Sequence, residues 1–172
     1  GIEANVKAAL EIVAASKGRI VVSGLGKSGL VGAKISATLA STGTPSFYIH
    51  AADALHGDSG ALHTEDVLIA ISNSGETSEV VAFADMAKTW GHKVIAITAK
   101  RNSRLGTIAD AVLDISFDKE ADPNGLAPTT STTLTIAIGD ALAAALISYK
   151  GFSTQDFGKR HPGGALGKKS NG

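Results

Sequence analysis

Ile69-Ala-Ile-Ser-Asn-Ser-Gly-Glu-Thr-Ser78 decides how this chain is read. Val67–Ser72 is an apolar run that reads as a strand. Ser72, Asn73, Ser74 and Thr77 then crowd around Gly75, and a helical pattern follows from about Ser78 to Trp90, stopping at Gly91. A strand–loop–helix junction of this kind aims hydroxyls, backbone N–H groups and the positive end of a helix at one point. It is a receptor for a phosphate dianion, built without any cationic side chain. Capping the helix would need only one Ser or Thr, so the surplus of small polar side chains points to ligand binding.

The same alternation continues on both sides. Ile2–Ser16 has helical spacing, Arg19–Ser23 is a β-branched run, and a helix is expected from about Leu30 to Ser41. Ser46–Ile49 reads as a strand, Ala51–Leu55 as a short helix, and Lys93–Thr98 and Ala111–Ser116 as two more strands around a short helix at Ser103–Ala109. A long helix from about Ser131 to Tyr149 ends at Gly151, and a short one lies near Thr154–Phe157. The strands are continuous apolar runs, which marks a sheet covered on both faces. The expected fold is α/β: one domain over residues 1–172 with a doubly wound, five-stranded parallel sheet and helices on both faces. Ligands of such sheets bind beyond the carboxyl ends of the strands, where the loops discussed here fall.

Composition removes several classes of function. The 172 residues are 44% apolar and carry 16 basic against 16 acidic groups, so no broad attraction to nucleic acid or to a membrane surface follows. Without cysteine there is no disulfide, thiolate zinc site or cysteine nucleophile. The apolar stretches read as too short to span a membrane, and no secretory pattern opens the chain, so a cytoplasmic protein is expected. Gly1 in place of an initiator Met, and the polar tail Gly167–Gly172, suggest a fragment.

Two further loops repeat the theme of the first. Gly24-Leu25-Gly26-Lys27-Ser28-Gly29 fits G-x-G-x-x-G, a weak signal whose obvious rival is a dinucleotide site. That rival needs an acid ending the second strand, which here reads Phe47-Tyr48-Ile49-His50. A Walker loop would need glycine where Val21 stands. Gly26, Lys27 and Ser28 are therefore candidates for a small oxyanion or a sugar hydroxyl, beside the plain alternative of a tight turn. Ala127-Pro-Thr-Thr-Ser-Thr-Thr133 opens the longest helix with consecutive hydroxyls. Thr130, Ser131, Thr132 and Thr133 are candidates for a second edge of the same anion pocket.

Glu76, Glu120, His56 and His161 lie in or beside these loops and are the acid–base candidates. Each has an ordinary alternative: Glu76 as a first-turn helix acid, Glu120 as a solvated carboxylate, the histidines as exposed residues. His50, His63 and His92 lack polar company and are discounted, and Asp53 and Asp58 read as caps or turn formers. The His56-Gly-Asp58 spacing matches no metal template, so no metal site is expected.

These segments resemble the sugar isomerase (SIS) domain, and specifically bacterial D-arabinose-5-phosphate isomerases. The matching stretches are Gly24–Gly29, Ala40–Phe47, His56–Asp58, Ile69–Glu76, Gly125–Thr129 with Ser131–Thr133, Gly139–Leu142 and His161–Gly167, which together span almost the whole chain. The resemblance implies a flavodoxin-like homotetramer with active sites at subunit contacts. It also implies conversion of ribulose 5-phosphate to arabinose 5-phosphate, the first step toward Kdo, a sugar of Gram-negative lipopolysaccharide and some capsules. Family members commonly carry a C-terminal pair of CBS domains, which would begin where this chain stops. Many relatives have cysteine at the position of Asp122, leucine at Asn124 and leucine at Ser59.

Such an isomerisation moves a proton between C1 and C2 through a cis-enediolate and needs no cofactor. On this reading Ser72, Ser74, Thr77 and the Thr130–Thr133 region hold the phosphate, and Lys27 faces the enediolate oxygen. Glu76, at a helix's positive end, should be a weakened base, whereas Glu120 can be desolvated and raised toward neutrality, so Glu120 is the expected base and Glu76 takes an orienting or auxiliary proton role. His161 and His56 are the candidates for ring opening or hydroxyl proton shuttling, with one of them open to come from a neighbouring subunit. The rivals are a non-catalytic phosphosugar-sensing SIS module, and an SIS isomerase for another sugar phosphate.

Overall fold

The computed structural model describes residues 2–163. Five strands, β1 (Ile20–Gly24), β2 (Ser46–His50), β3 (Val67–Ile71), β4 (Lys93–Thr98) and β5 (Ala111–Asp114), form one all-parallel sheet in the order β2-β1-β3-β4-β5. The helices are α1 (Ile2–Ala15), α2 (Gly26–Ser41), α3 (Ala51–Ala54), α4 (Ser78–Thr89), α5 (Arg104–Ile108), α6 (Thr130–Lys150) and α7 (Thr154–Arg160). The chain leaves β1 outward through α2 to β2, then crosses back to β3. The sheet therefore reverses its winding between β1 and β3, where Gly24 pairs with Ile71.

Burial on both faces explains the apolar strands. Ile20, Val22, Val67, Ile69, Ile71, Ile95, Ile97 and Leu113 pack under α1, α2 and α6, while Val21, Leu68, Ala70, Val94, Ala96 and Val112 pack under α3, α4 and α5. The period-two alternation of a strand thus feeds two cores rather than one. α6 is long and apolar enough to cross a membrane, contrary to the expectation from sequence. Here one stripe of it meets α1, α2 and the sheet, with Leu142, Ala143 and Leu146 buried, while only 33% of its apolar window is buried.

Three boundaries differ from the sequence expectation in ways that matter for function. α2 begins at Gly26 rather than near Leu30, so Lys27 and Ser28 stand in its first turn. A 3₁₀ turn at Asp58–Ala61 follows α3. α7 continues to Arg160, helped by a capping box in which Ser153 and Asp156 satisfy each other's backbone N–H.

At the pole away from the carboxyl ends, Asp66 is buried and accepts from Arg19 N–H at 2.7 Å, Arg19 Nη2 at 2.7 Å and His63 N–H at 2.8 Å. Burial alone would raise this carboxyl, but hydrogen bonds from Arg19 and His63 and the guanidinium charge hold it below its ordinary value.

Candidate active site

The loop after β3 is knitted by its own hydroxyls. Ser72 is buried; its Oγ accepts the Gly75 N–H at 3.0 Å and lies 2.8 Å from Thr77 Oγ1 and 3.4 Å from Ser74 Oγ. Ser74 Oγ accepts the Glu76 N–H at 3.2 Å. Gly75 has φ +68, and a Cβ there would strike Ser103, so glycine is required at the apex. Thr77 occupies the N-cap of α4 yet makes no side-chain cap hydrogen bond. Thr77 therefore does not cap α4 with its side chain; the hydroxyls of the cluster meet one another and the N–H groups of Gly75 and Glu76 instead.

The turn after β1 stands beside it. The N-cap of α2 is Leu25, which has no side-chain acceptor, so this helix start is uncapped too. Tyr48 Oη donates to the Gly24 carbonyl at 2.9 Å and occupies the space a side chain at Gly29 would need, which keys the turn to β2. Gly26 (φ +57) and Lys27 are exposed, and Lys27 makes no ion pair among the described residues.

A third helix start completes the group. α2 and α6 run side by side and parallel: Lys34 pairs with Asp140, and further down Lys150 Nζ donates to Thr44 Oγ1 at 2.9 Å. Gly26 lies eight residues above Lys34 and Thr130 ten above Asp140, so at about 1.5 Å rise per residue the two N-termini differ in height by about 3 Å. The N-cap of α6, Thr129, makes no side-chain cap bond; Glu120 supplies the cap instead. Glu120 Oε2 accepts from Thr129 N–H at 2.8 Å, Ser131 N–H at 3.2 Å and Thr129 Oγ1 at 3.2 Å.

This overturns two expectations. Burial would raise the Glu120 carboxyl, but the hydrogen bonds from Ser131 and Thr129 outweigh it and pull the group down to about 2, rather than up toward neutrality. The hydroxyls of Thr132 and Thr133 bond back to the Thr129 carbonyl at 3.0 and 2.9 Å instead of forming an open anion edge. Thr130 and Ser131 remain in the first turn of α6, Ser131 buried.

Glu76 also sits differently from its expected place. It precedes α4, and its Oε1 accepts the Arg104 N–H at 2.8 Å at the start of α5. The first-turn acid of α4 is Glu79, which accepts from Ser78 Oγ at 2.9 Å. Its carboxyl is held low chiefly by its own backbone N–H, then by Ser78, with a weaker pull from His50. Thr129, Glu79 and His50 are the neighbours of the site that sequence reasoning passed over. The adjacent Thr-Ser-Glu at 77–79 was the available signal for Glu79.

A hollow of about 520 Å³ opens beside the β3 loop, lined by Ser74, Glu76, Lys100, Arg101, Ser103 and Asp114, and another of about 490 Å³ flanks Thr129–Leu134. Asn73 has a buried Oδ1 without a partner. His56 is exposed on the turn beyond α3.

His161 lies far from the other candidates. α6, with 21 residues, is about 30 Å long, and its far end meets Thr44 through Lys150. α7 is seated there, with Phe152 against Gly43, and His161 stacks on Phe157 at 3.9 Å while its Nδ1 bonds the Phe157 carbonyl at 2.9 Å. His161 cannot reach Lys27 or Glu120 of its own chain. The rest of the expected His161–Gly167 motif, from Gly164 on, lies outside the described residues. Among the described residues no group of three or more His, Asp or Glu is placed to hold a metal ion.

Comparison with known proteins matches this architecture. The SIS domain model matches residues 13–145. The arabinose 5-phosphate isomerase KpsF of Escherichia coli O6:H1 is 55% identical over 160 residues, 93% of this chain and 49% of that protein. KdsD of Escherichia coli K12, also an arabinose 5-phosphate isomerase, is 50% identical over 168 residues, 98% of this chain and 51% of its own. The chain thus spans about half the length of the curated relatives it matches. An Escherichia coli CFT073 protein solved in complex with arabinose 5-phosphate superposes with a TM-score of 0.88 at 40% identity, covering 94% of this chain and 89% of that one. With the starts of α2 and α4 side by side at the switch point of a parallel sheet, a family model matching residues 13–145 and relatives of this similarity, the chain belongs to the SIS domain family.

Proposed function

We propose that this chain is an aldose–ketose isomerase that interconverts D-ribulose 5-phosphate and D-arabinose 5-phosphate through a cis-enediolate, supplying Kdo synthesis in the cytoplasm. The observation that carries the reading is the uncapped start of α4, ringed by Ser72, Ser74 and Thr77, beside the uncapped start of α2 that bears Lys27. The identity to KpsF and KdsD supports the choice of sugar over the sensing module and over other SIS isomerases.

The phosphate sits on the Ser72–Thr77 loop and the first N–H groups of α4, with Asn73 and Ser28 toward the sugar hydroxyls. Lys27 stabilises the negative oxygen of the enediolate. Glu120 transfers the proton between C1 and C2. Held by Thr129 and Ser131 its carboxylate is a weak base, so substrate entry must loosen their grip before the proton moves. Glu76 orients the loop through Arg104 rather than taking a proton itself. The chemistry needs no cofactor.

The distance of His161 from its own site supports a homotetramer in which that histidine serves a neighbour, with His56 as the local shuttle. Mixing inactive Lys27→Ala and inactive His161→Ala proteins tests this directly. Mixed assemblies hold sites with both residues intact and regain activity; permanently inactive mixtures exclude the shared site.

The reaction itself is tested by exchange of the C2 proton of arabinose 5-phosphate with solvent deuterium. The protein exchanges it, and Glu120→Gln loses most of that exchange. Absence of exchange in the unaltered protein rejects the proposed activity, and full exchange in Glu120→Gln moves the base to Glu76 or Glu79.

A further inference from the structure

The irregular segment between β5 and α6 is wound around one carboxylate. Asp122 Oδ1 accepts the N–H of Leu126 at 2.7 Å and of Ala127 at 2.9 Å, and Oδ2 accepts that of Asn124 at 3.1 Å. The Asp122 carbonyl accepts the Gly125 N–H at 3.0 Å, a turn that Gly125 permits with φ +66. Leu126 is 81% exposed and its neighbours in the loop lie open to solvent, so no apolar packing shapes this loop. Its form rests on the Asp122 side chain.

That form reaches the site through Thr129. The Thr129 hydroxyl accepts the Ala121 N–H at 2.9 Å and has a single proton for two acceptors, Glu120 Oε2 at 3.2 Å and the Ala127 carbonyl at 3.1 Å. Ala127 is one of the residues that Asp122 pins. Where Ala127 stands therefore decides how Thr129 presents its hydroxyl and N–H to Glu120.

We propose that Asp122 is a positioning residue for Glu120, setting the orientation of its carboxylate through the loop 124–127 and Thr129. The proposal rests on the reading of Glu120 as the base. It gives three backbone N–H groups of a solvent-exposed loop one common acceptor beside Glu120. The groups acting on Glu120 are uncharged, Thr129 and Ser131, and no ion pair reaches it among the described residues. Loosening those donors raises its proton affinity.

The test is the pH dependence of isomerisation in Asp122→Ala, Asp122→Asn, Thr129→Val and the double variant Asp122→Ala/Thr129→Val. Asp122→Ala loses roughly 10- to 100-fold in kcat with KM within about twofold, as expected for a misplaced reacting group. The acid limb of its kcat/KM profile moves to higher pH. Asp122→Asn keeps an amide oxygen for the Leu126 and Ala127 N–H groups and regains most of the rate. The double variant loses little more than the worse single one, because both act through the same contact. An Asp122→Ala protein with unchanged kcat overturns the proposal. So does a rate loss with an unmoved acid limb that Asp122→Asn fails to restore, which is the behaviour of a merely destabilised loop. Glu120→Gln is the separate control: full C2 exchange in that variant removes the base assignment, and this proposal with it, whatever the Asp122 variants do.

Discussion

Lys34 on α2 and Asp140 on α6 are joined by an ion pair, with Ile35 packed against Gly139 directly beside it. Two helices distant in sequence are locked parallel at that height, which levels the helix start bearing Lys27 with the one capped by Glu120. The ion pair is half-exposed and adds little stability by itself. The glycine matters more, because a Cβ at position 139 would collide with Ile35. Gly139→Val should lower stability by about 1–3 kcal/mol through overpacking and reduce kcat as the helix starts separate. Chemical denaturation and steady-state kinetics check it; a variant with wild-type values on both shows that the helix spacing is not limiting.

Glu120 couples the site to acid stability. Its folded-state value is depressed to about 2 from an ordinary 4.5, so it contributes stability that is complete above the unfolded value and lost as pH falls through the folded one. The melting temperature of the protein should fall between about pH 4.5 and 2, and the fall should be shallower in Glu120→Gln. Parallel curves for the two proteins would mean that the hydrogen bonds from Thr129 and Ser131 do not hold the carboxylate in solution.

Ser74 and Gly75 separate binding from architecture within one loop. Ser74 is exposed at its tip, and Ser74→Ala should raise KM about tenfold with kcat little changed, the effect of one hydrogen bond to a charged ligand group. Collapse of kcat at constant KM would place Ser74 in the chemistry instead. Gly75→Ala has no such selectivity: the new methyl must displace Ser103, the N-cap of α5, so both KM and thermal stability suffer.

Asp66 anchors the opposite pole. Its side chain is 1% exposed and takes several donors from Arg19 and His63, so Asp66→Ala leaves the Arg19 and His63 N–H groups without their acceptor and the guanidinium with only the Ala61 carbonyl. We expect a loss of about 2–4 kcal/mol in urea unfolding with kcat for folded protein unchanged. An unshifted midpoint would show that Arg19, stacked 4.5 Å over Phe47, is satisfied without it.

The sequence carried the sheet clearly, because a strand buried on both faces must be apolar throughout, and Val67–Ile71 and Lys93–Thr98 nearly are. The hydroxyl cluster at 72–77 was equally legible, since its composition exceeds what a cap needs. The environment of Glu120 was not. Whether a carboxylate in an irregular segment is raised by burial or lowered by donors depends on which N–H groups the loop turns toward it, and that is tertiary geometry. The hydroxyls of Thr132 and Thr133 were indistinguishable in sequence from ligand-binding ones, because back-bonding to a helix carbonyl leaves no compositional trace. Glu79 was passed over although the helix was expected to start at Ser78, as it does, because Glu76 lies inside the hydroxyl cluster and Glu79 just beyond it.

In the proposed site, Ser72, Ser74, Thr77 and the opening amides of α4 would make a cradle whose pull on a phosphate is short-ranged, since dipoles fade with distance faster than charges. An ester arriving at such a site would not be drawn in from afar but recognised on contact, by fit. Added salt, which weakens capture by cationic clefts, should leave this protein's affinity nearly untouched apart from the share owed to Lys27. On the proposed function, selectivity among phosphorylated sugars would then lie in the shape of the carbon chain rather than in the strength of attraction to its charge.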